Sequence, residues 1–548
     1  MQFIHYISDL LYRKKDLSTT KVVIFNALFL TLVANKTFFQ NVFHVYPLSL
    51  QNIGFLISLA VGITAVTVLL LTLLTSRYTT KFVIISLFLG ASFIAYFMDN
   101  YHVVIDDIMV QNIVETDWRE VNDLMGMKMF SYLILLGVLP GFFVSRLKLK
   151  TYPWKKSVLY KIRDVGISLL LIIGIVLLFS KFYTSFFREY KPLRYYVNPT
   201  YSLYSLGKFI TRTFYMEESL LSSVGLDAQV VELADEGDDD PKELVVLVIG
   251  EAARADHFSF NGYQRETNPL LGNEDVINFS NMYSCGTSTA FSVPCMFSVF
   301  PRDEFSNRKG NTNENILDVL SHTKAIDILW RDNNSDSKGV ALRVPYEDYT
   351  RSERNTFNTS GECRDEGMLI GLEHYINQHK GRDILIILHQ MGNHGPAYYK
   401  RYPKKFEKFK PVCTTNQLEE CSRDEIINAY DNALLYTDYF LSKVIYLLKK
   451  YDKTHETAMM YFSDHGESLG ENGLYLHGMP YMIAPESQIH IGSLMWFGSE
   501  ISKEIDMNRI RLNKDKKYSQ DNLFHTSLGI FEVTSSVYNK EMDMLGSQ

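Results

Sequence analysis

ELVVLVIGE, residues 243–251, is a short valine-rich apolar run that stops at once on an acidic side chain. The same arrangement returns in DILIILHQMG at 383–392 and in AMMYFSDHG at 458–466, and KAIDILWRDN at 324–333 reads as a further strand. Helical patterns separate these runs: ENILDVLSHT at 314–323, DEGMLIGLEHYINQH at 365–379 and EIINAYDNALLYTDYFLSKVIYLLKKY at 425–451. Strands alternating with helices predict an α/β domain built on a central, mostly parallel sheet. In such sheets ligands collect beyond the C-terminal strand ends, which is where the polar residues of these runs fall.

Those residues are Glu251, His389, His394, Asp464 and His465, with His477 a little further on. Zinc takes carboxylate oxygen and imidazole nitrogen in roughly tetrahedral sites. Glu251, Asp464 and His465 would supply three ligands and leave one position open. Thr289, in GTSTAFS at 286–292, is the candidate for the fourth. A threonine hydroxyl is a poor nucleophile at neutral pH, but metal coordination lowers its pKa and aims it. GTSTAFS also reads as a helix N-terminus, whose free N–H groups favour anions. Taken alone, Thr289 reads as a helix cap; the joint pattern favours the nucleophile. His394 in MGNHGP and His477 in YLHGMP sit in Gly- and Pro-containing turns. They are suited to bind a phosphate oxygen or a second metal, or to protonate a leaving group. Asn334 and Lys338, in WRDNNSDSKG, are candidates for substrate contact, and a solvated turn explains them nearly as well.

The chain has 548 residues, enough for two or more domains. Charge is unevenly placed: residues 1–180 hold 16 Lys/Arg against 10 Asp/Glu, a balance of +6, and the remainder holds 39 against 52, a balance of −13. The second part therefore carries no general nucleic-acid signature. Apolar stretches at roughly 22–40, 50–75, 82–98, 129–145 and 165–180 predict five membrane helices, the first interrupted by Asn35 and Lys36. Basic residues gather before the first span, between the second and third, and between the fourth and fifth; the link between the third and fourth is acidic. This bias predicts a cytoplasmic N-terminus and places everything after the fifth span outside. The first run reads as a retained anchor, since no small-x-small cleavage site follows it.

All five cysteines follow the apolar part. Cys285 with Cys295 and Cys413 with Cys421 read as local disulfides, suited to an oxidising compartment, and Cys363 is left over. The Phe- and Tyr-rich segment FYTSFFREYKPLRYYVNPTYSLYSLGKFI suits a membrane interface. A helix is expected at 203–220, and ELADEGDDDPKE at 232–243 reads as a turn or linker.

E-A-A-R, C-G-T-S-T, N-H-G-P and S-D-H-G-E follow one another in order behind the membrane region. In this the chain resembles the phosphoethanolamine transferases that modify lipid A, including the mobile colistin-resistance enzymes. The resemblance covers essentially the whole chain. It implies five transmembrane helices over 1–182, an aromatic bridge over 183–240 and a periplasmic alkaline-phosphatase/sulfatase-like catalytic domain over 241–548. By the same resemblance Glu251, Thr289, Asp464 and His465 hold zinc, Thr289 is the nucleophile, and His394 and His477 lie near the transferred phosphoryl group, where additional zinc is a possibility during turnover. Asn334 and Lys338 match a substrate-contact segment. MVQNIVETDWRE matches a substrate-binding segment, giving Asn112, Thr116 and Glu120, spaced to share one helical face. The family often carries a third disulfide ending at the position of Cys363; its partner position holds Asn355 here, which leaves Cys363 without a disulfide and the nearby loop looser.

The implied reaction moves phosphoethanolamine from phosphatidylethanolamine to a lipid A phosphate through a threonine adduct, in the inner membrane of a bacterium. The implied phenotype is polymyxin resistance, and the chain is expected to act as a monomer among membrane lipids, without nucleic acid. A transferase with another acceptor, such as a core sugar, a glycan or a surface protein, and a non-enzymatic membrane sensor on a dead hydrolase fold are the competing readings.

Overall fold

The structure is a computed structural model, and it describes residues 16–115, 121, 124–214, 221–231, 241–359 and 361–546. The chain divides into two compact units, one of residues 1–110 and 125–213, the other of residues 111–124 and 214–548.

The first unit is helical. Its helices are α1 (Thr19–Val33), α2 (Lys36–Val45), α3 (Ile53–Leu74), α4 (Thr80–Tyr101), α5 (Asp107–Glu115, which runs across the division), α6 (Met127–Arg146), α7 (Trp154–Leu178), α8 (Ser180–Arg188) and α9 (Thr200–Phe214). Three of them, α3, α4 and α6, are long and apolar enough to cross a membrane; the number rises to five if each of two bent pairs counts as one span. The bent pairs are α1 with α2, at 60°, and α7 with α8, at 92°. The first bend falls at Asn35, whose side-chain amide donates to the Leu30 carbonyl (3.0 Å) and to the Asn198 carbonyl (2.7 Å). The interruption visible in the sequence is thus a break in the helix. Many large apolar side chains here are exposed to the surroundings, among them Leu170 at 72 % and Leu177 at 70 %. In water that pattern would be costly, and in a bilayer it is expected. The helix expected at 203–220 begins earlier, at Thr200; residues 215–220 and 232–240 lie outside the described residues.

The second unit is built on a seven-stranded sheet. Its strands are β1 (Lys242–Gly250), β2 (Val276–Asn278), β3 (Ile326–Asp332), β4 (Tyr346–Asp348), β5 (Asp383–His389), β6 (His455–Ser463) and β7 (Ser493–Phe497). They lie in the order β2-β7-β6-β1-β5-β3-β4. The pairings from β6 through to β4 are parallel, while β7 pairs antiparallel with both β6 and β2. The sheet is therefore mixed, with a parallel centre and an antiparallel edge. β5 and β6 are buried along their whole length and β1 along all but its first two residues, which explains their continuous apolar runs. Helix α12 (Arg423–Lys449) starts from a capping box in which Ser422 and Glu425 exchange hydrogen bonds. The pattern at 365–379 is not one helix: a 3-10 turn at Asp365–Leu369 ends before Gly371, whose φ of 72° starts α11 (Leu372–His379) afresh.

The register fixes the level of the strand ends. Gly250 lies opposite Ser463, Ile249 opposite His389, and His389 opposite Asp332. Chains leaving β1, β3, β5 and β6 therefore emerge together at one edge. Gly250 has no space for a side chain, since a Cβ would stand 2.3 Å from the Tyr461 hydroxyl oxygen. Gly250→Ala is expected to destabilise the fold by about 1–3 kcal/mol through overpacking; a thermal melt of the full chain in detergent showing no loss would count against this.

The two disulfides join Cys285 to Cys295 and Cys413 to Cys421. Cys363 is a buried thiol. The loop at Asn355 is tied, contrary to the expectation of looseness. The Asn355 amide is fully buried and donates to the carbonyls of Tyr349 (3.0 Å) and Arg364 (2.9 Å), and its Oδ1 accepts from the Phe357 N–H (3.2 Å). Hydrogen bonds stand where a covalent crosslink was absent from the sequence.

Candidate active site

Glu251 follows β1 directly, and Asp464 and His465 follow β6. Thr289 is the first residue of α10 (Thr289–Met296). Ser288, not Thr289, occupies the cap position, and its side chain makes no capping hydrogen bond. The Thr289 hydroxyl is left for the cluster. It lies 2.8 Å from Asp464 Oδ2, 3.1 Å from Glu251 Oε2 and 3.4 Å from His465 Nε2. His465 Nε2 is in turn 3.5 Å from Glu251 Oε1 and 3.4 Å from Asp464 Oδ2. Four side chains from three segments thus converge on one point.

Surrounding hydrogen bonds set the orientation of each group. His465 Nδ1 lies 2.7 Å from the Gly466 carbonyl, to which its N–H donates, and this directs Nε2 at the cluster. Asp464 Oδ1 accepts from the backbone N–H groups of Ala252 (3.1 Å) and His465 (2.7 Å). Ser292 Oγ donates towards the Asp464 carbonyl (2.5 Å), and Gln520 Nε2 donates to the carbonyls of Ser463 (2.7 Å) and Asp464 (3.0 Å). Asn334 Nδ2 donates to Glu251 Oε2 (2.9 Å) and to the Gln390 carbonyl (3.0 Å).

The electrostatics call for a cation. Glu251 and Asp464 are fully buried, and their carboxylates share one threonine hydroxyl. Burial, then the charge of Asp464, raises the Glu251 pKa to about 8. Burial opposes ionisation of Asp464 too, but the His465 imidazole and the Thr289 hydrogen bond outweigh it and hold its pKa low. Glu251 Oε1 is buried and accepts no hydrogen bond. Two buried carboxylates, an imidazole nitrogen and a hydroxyl oxygen are donor types that a divalent metal takes. The donor chemistry fits zinc.

His477 borders the cluster. Its ring centroid is 4.2 Å from that of His465 and 6.1 Å from that of His394. Glu251, His465 and His477 each offer a ligand atom within 4.8 Å of the others. Glu467 holds His477 from behind, with its carboxylate 3.4 Å from Nδ1, and burial raises the Glu467 pKa to about 8. Lys338 reaches the cluster only through a relay: its Nζ donates to Ser335 Oγ (2.8 Å), which donates to Asn334 Oδ1 (3.1 Å). His389 lies among the strand ends but outside the cluster, its Nδ1 bonded to Asp332 (2.9 Å). Asn112 sits in α5, while Thr116 and Glu120 lie outside the described residues.

The structure adds three contributors, Glu467, Ser292 and Gln520. Glu467 stands in the S-D-H-G-E motif itself, two residues after His465, and could have been read from that spacing. Ser292 is in GTSTAFS, one helical turn after Thr289, but nothing in the sequence marks its partner. Gln520 is brought in by the tertiary fold from far along the chain and carried no local signal.

The sulfatase family profile matches residues 243–533, the unit whose strand ends carry these groups. The profile described as phosphoethanolamine transferase EptA/EptB matches residues 63–214. The chain is 44 % identical over 516 residues to phosphatidylethanolamine transferase Mcr-2 of Escherichia coli, covering 93 % of this chain and 94 % of that protein. It is 37 % identical over 544 residues to phosphoethanolamine transferase EptA of Escherichia coli K12, covering 98 % of each. Among solved structures, the integral membrane lipooligosaccharide phosphoethanolamine transferase A of Neisseria meningitidis matches with a TM-score of 0.92 at 32 % identity, over 97 % of this chain and 99 % of that one. The chain belongs to the phosphoethanolamine transferase family within the alkaline phosphatase superfamily, and it is a membrane protein.

Proposed function

We propose that the protein transfers phosphoethanolamine from phosphatidylethanolamine to a phosphate of lipid A, with Thr289 as the covalent carrier, and so lowers susceptibility to polymyxins. The observation that carries this reading is the Thr289 hydroxyl, held within 3.4 Å of Glu251, Asp464 and His465 in a family of phosphoethanolamine transferases. Glu251, Asp464, His465 and Thr289 would hold Zn²⁺. When bound, the zinc supplies Lewis acidity that lowers the threonine pKa and offsets charge on the phosphoryl oxygens.

Thr289 Oγ attacks the phosphorus of the donor, releasing its proton along the hydrogen bonds to the flanking carboxylates. The phosphorus–oxygen bond to diacylglycerol breaks, and His477 or His394 supplies the proton that the leaving oxygen takes up. A lipid A phosphate oxygen then attacks the phosphothreonine, and the threonine oxygen leaves and is reprotonated. Asn334 orients Glu251, and Lys338 acts through Ser335 and Asn334. Asn112, Thr116 and Glu120 are assigned to donor binding by family likeness. The apolar helices favour a lipid donor and a lipid acceptor. In this reading residues 1–182 are the membrane part with a cytoplasmic N-terminus, 183–240 the bridge and 241–548 the periplasmic catalytic domain, in a monomer of the inner membrane. The added ammonium group reduces the negative charge of lipid A, and attraction of cationic peptides falls with it.

Mass spectrometry of lipid A from cells with and without the protein tests this function. A phosphoethanolamine increment on lipid A is expected, and an increment found only on another glycan or protein would transfer the reading to a different acceptor. His477→Ala should reduce transfer roughly 10²-fold, as loss of a positioned proton donor does. Its zinc content should stay at the wild-type level, because the four inner donors remain.

A further inference from the structure

A cavity of about 640 Å³ opens within the helical unit, and no residue of the Thr289 cluster lines it. Its volume falls in the range of small-molecule sites. Its walls change character from one end to the other. Ile63 and Val66 of α3 and Ile172, Ile175 and Val176 of α7 line one part of it, a mainly aliphatic end with the Tyr183 hydroxyl beside Gly62. Ile172 lies six residues before the end of α7, so this end reaches about 9 Å along the helix from the bend. Gly62 helps keep the two helices this close, since a Cβ there would meet Ile175 Cδ1 at 2.9 Å.

At Leu178 the chain turns by 92° into α8. Beyond that turn the lining becomes aromatic and charged. Tyr195, Tyr201 and Tyr204 line it together with Arg194 and Lys208. Lys208 pairs with Asp107 at 2.9 Å, so the mouth carries a surplus of one positive charge from Arg194. Arg194 is exposed, with its guanidinium 5.4 Å from the Tyr195 ring centroid.

The geometry points to a binding site for one glycerophospholipid of the surrounding bilayer, with an acyl chain between α3 and α7 and the phosphate on Arg194. The aliphatic end, the tyrosine belt and the cationic mouth follow the order of acyl chain, interface and phosphate in such a lipid. Guanidinium is well matched to phosphate oxygens, and the single surplus charge balances one phosphodiester. This is a lipid site of the helical unit, and it holds whether or not Thr289 is the nucleophile.

Native mass spectrometry of the full chain, released from mild detergent, tests it through three proteins: wild type, Arg194→Ala and Val66→Trp. Wild type should carry one phospholipid per chain. Arg194→Ala should reduce its retention about tenfold, the effect of losing one charge-assisted hydrogen-bonding partner, with Arg194→Lys restoring part of it. Val66→Trp should remove it by filling the aliphatic end. Arg194 is exposed, so its variants remain decisive even if the tryptophan disturbs packing. Wild type without bound phospholipid, equal retention in Arg194→Ala, or lipid A in place of phospholipid would each overturn the assignment.

Discussion

Thr289→Ala is expected to reduce lipid A modification by at least roughly 10³-fold, as removal of a nucleophile from a preorganised site does. The readout is the fraction of lipid A bearing phosphoethanolamine in cells producing equal amounts of the two proteins. The effect should be chemical, not structural. Thr289 begins α10, and the hydroxyl's hydrogen bonds are worth on the order of 1 kcal/mol each. The helix keeps its anchors in the Cys285–Cys295 disulfide and in Ser292, which donates to the Asp464 carbonyl. Thr289→Ser retains the hydroxyl and should retain far more transfer than alanine. A non-enzymatic sensor would show resistance unchanged in Thr289→Ala.

Glu251→Gln should abolish both transfer and zinc retention. The substitution keeps the shape and the hydrogen bond to Asn334 can be re-formed, but it removes one of two buried negative charges. Zinc at a thousandfold excess over its Kd stabilises the native state by about 4 kcal/mol. Chelation should therefore lower the melting temperature of the wild-type chain by several degrees and leave Glu251→Gln almost unmoved. Metal analysis of the two purified proteins completes the comparison. A wild-type protein indifferent to chelation, or a Glu251→Gln protein with full zinc content, would contradict the assignment of the cluster as a metal site.

The parts of the fold visible in the sequence are those set by local pattern. The runs at 243–251, 383–392 and 458–466 announced buried strands because every residue between two covered faces must be apolar. The edge was less visible: β7, SLMWF at 493–497, pairs antiparallel and turns the sheet mixed, and strand direction leaves no mark on five apolar residues. The break at Gly371 was missed because the apolar spacing at 365–379 continues across it. Within the site, Glu251, Asp464, His465 and Thr289 stood out as polar residues beside apolar runs. The orienting roles did not: Asn334 reads as a substrate contact, and Gln520 carries no local signal. Gln520 and Asn334 act by donating to carbonyls or carboxylates that only the folded chain brings near.

The central claim is that Thr289 carries the transferred group. Incubating the full chain with phosphatidylethanolamine, without lipid A, and mapping its peptides by tandem mass spectrometry addresses that claim most directly. The expected result is a phosphoethanolamine adduct on Thr289 that disappears when lipid A is added. Diacylglycerol release with no adduct on Thr289, or an adduct on another side chain that is discharged by lipid A, would contradict it.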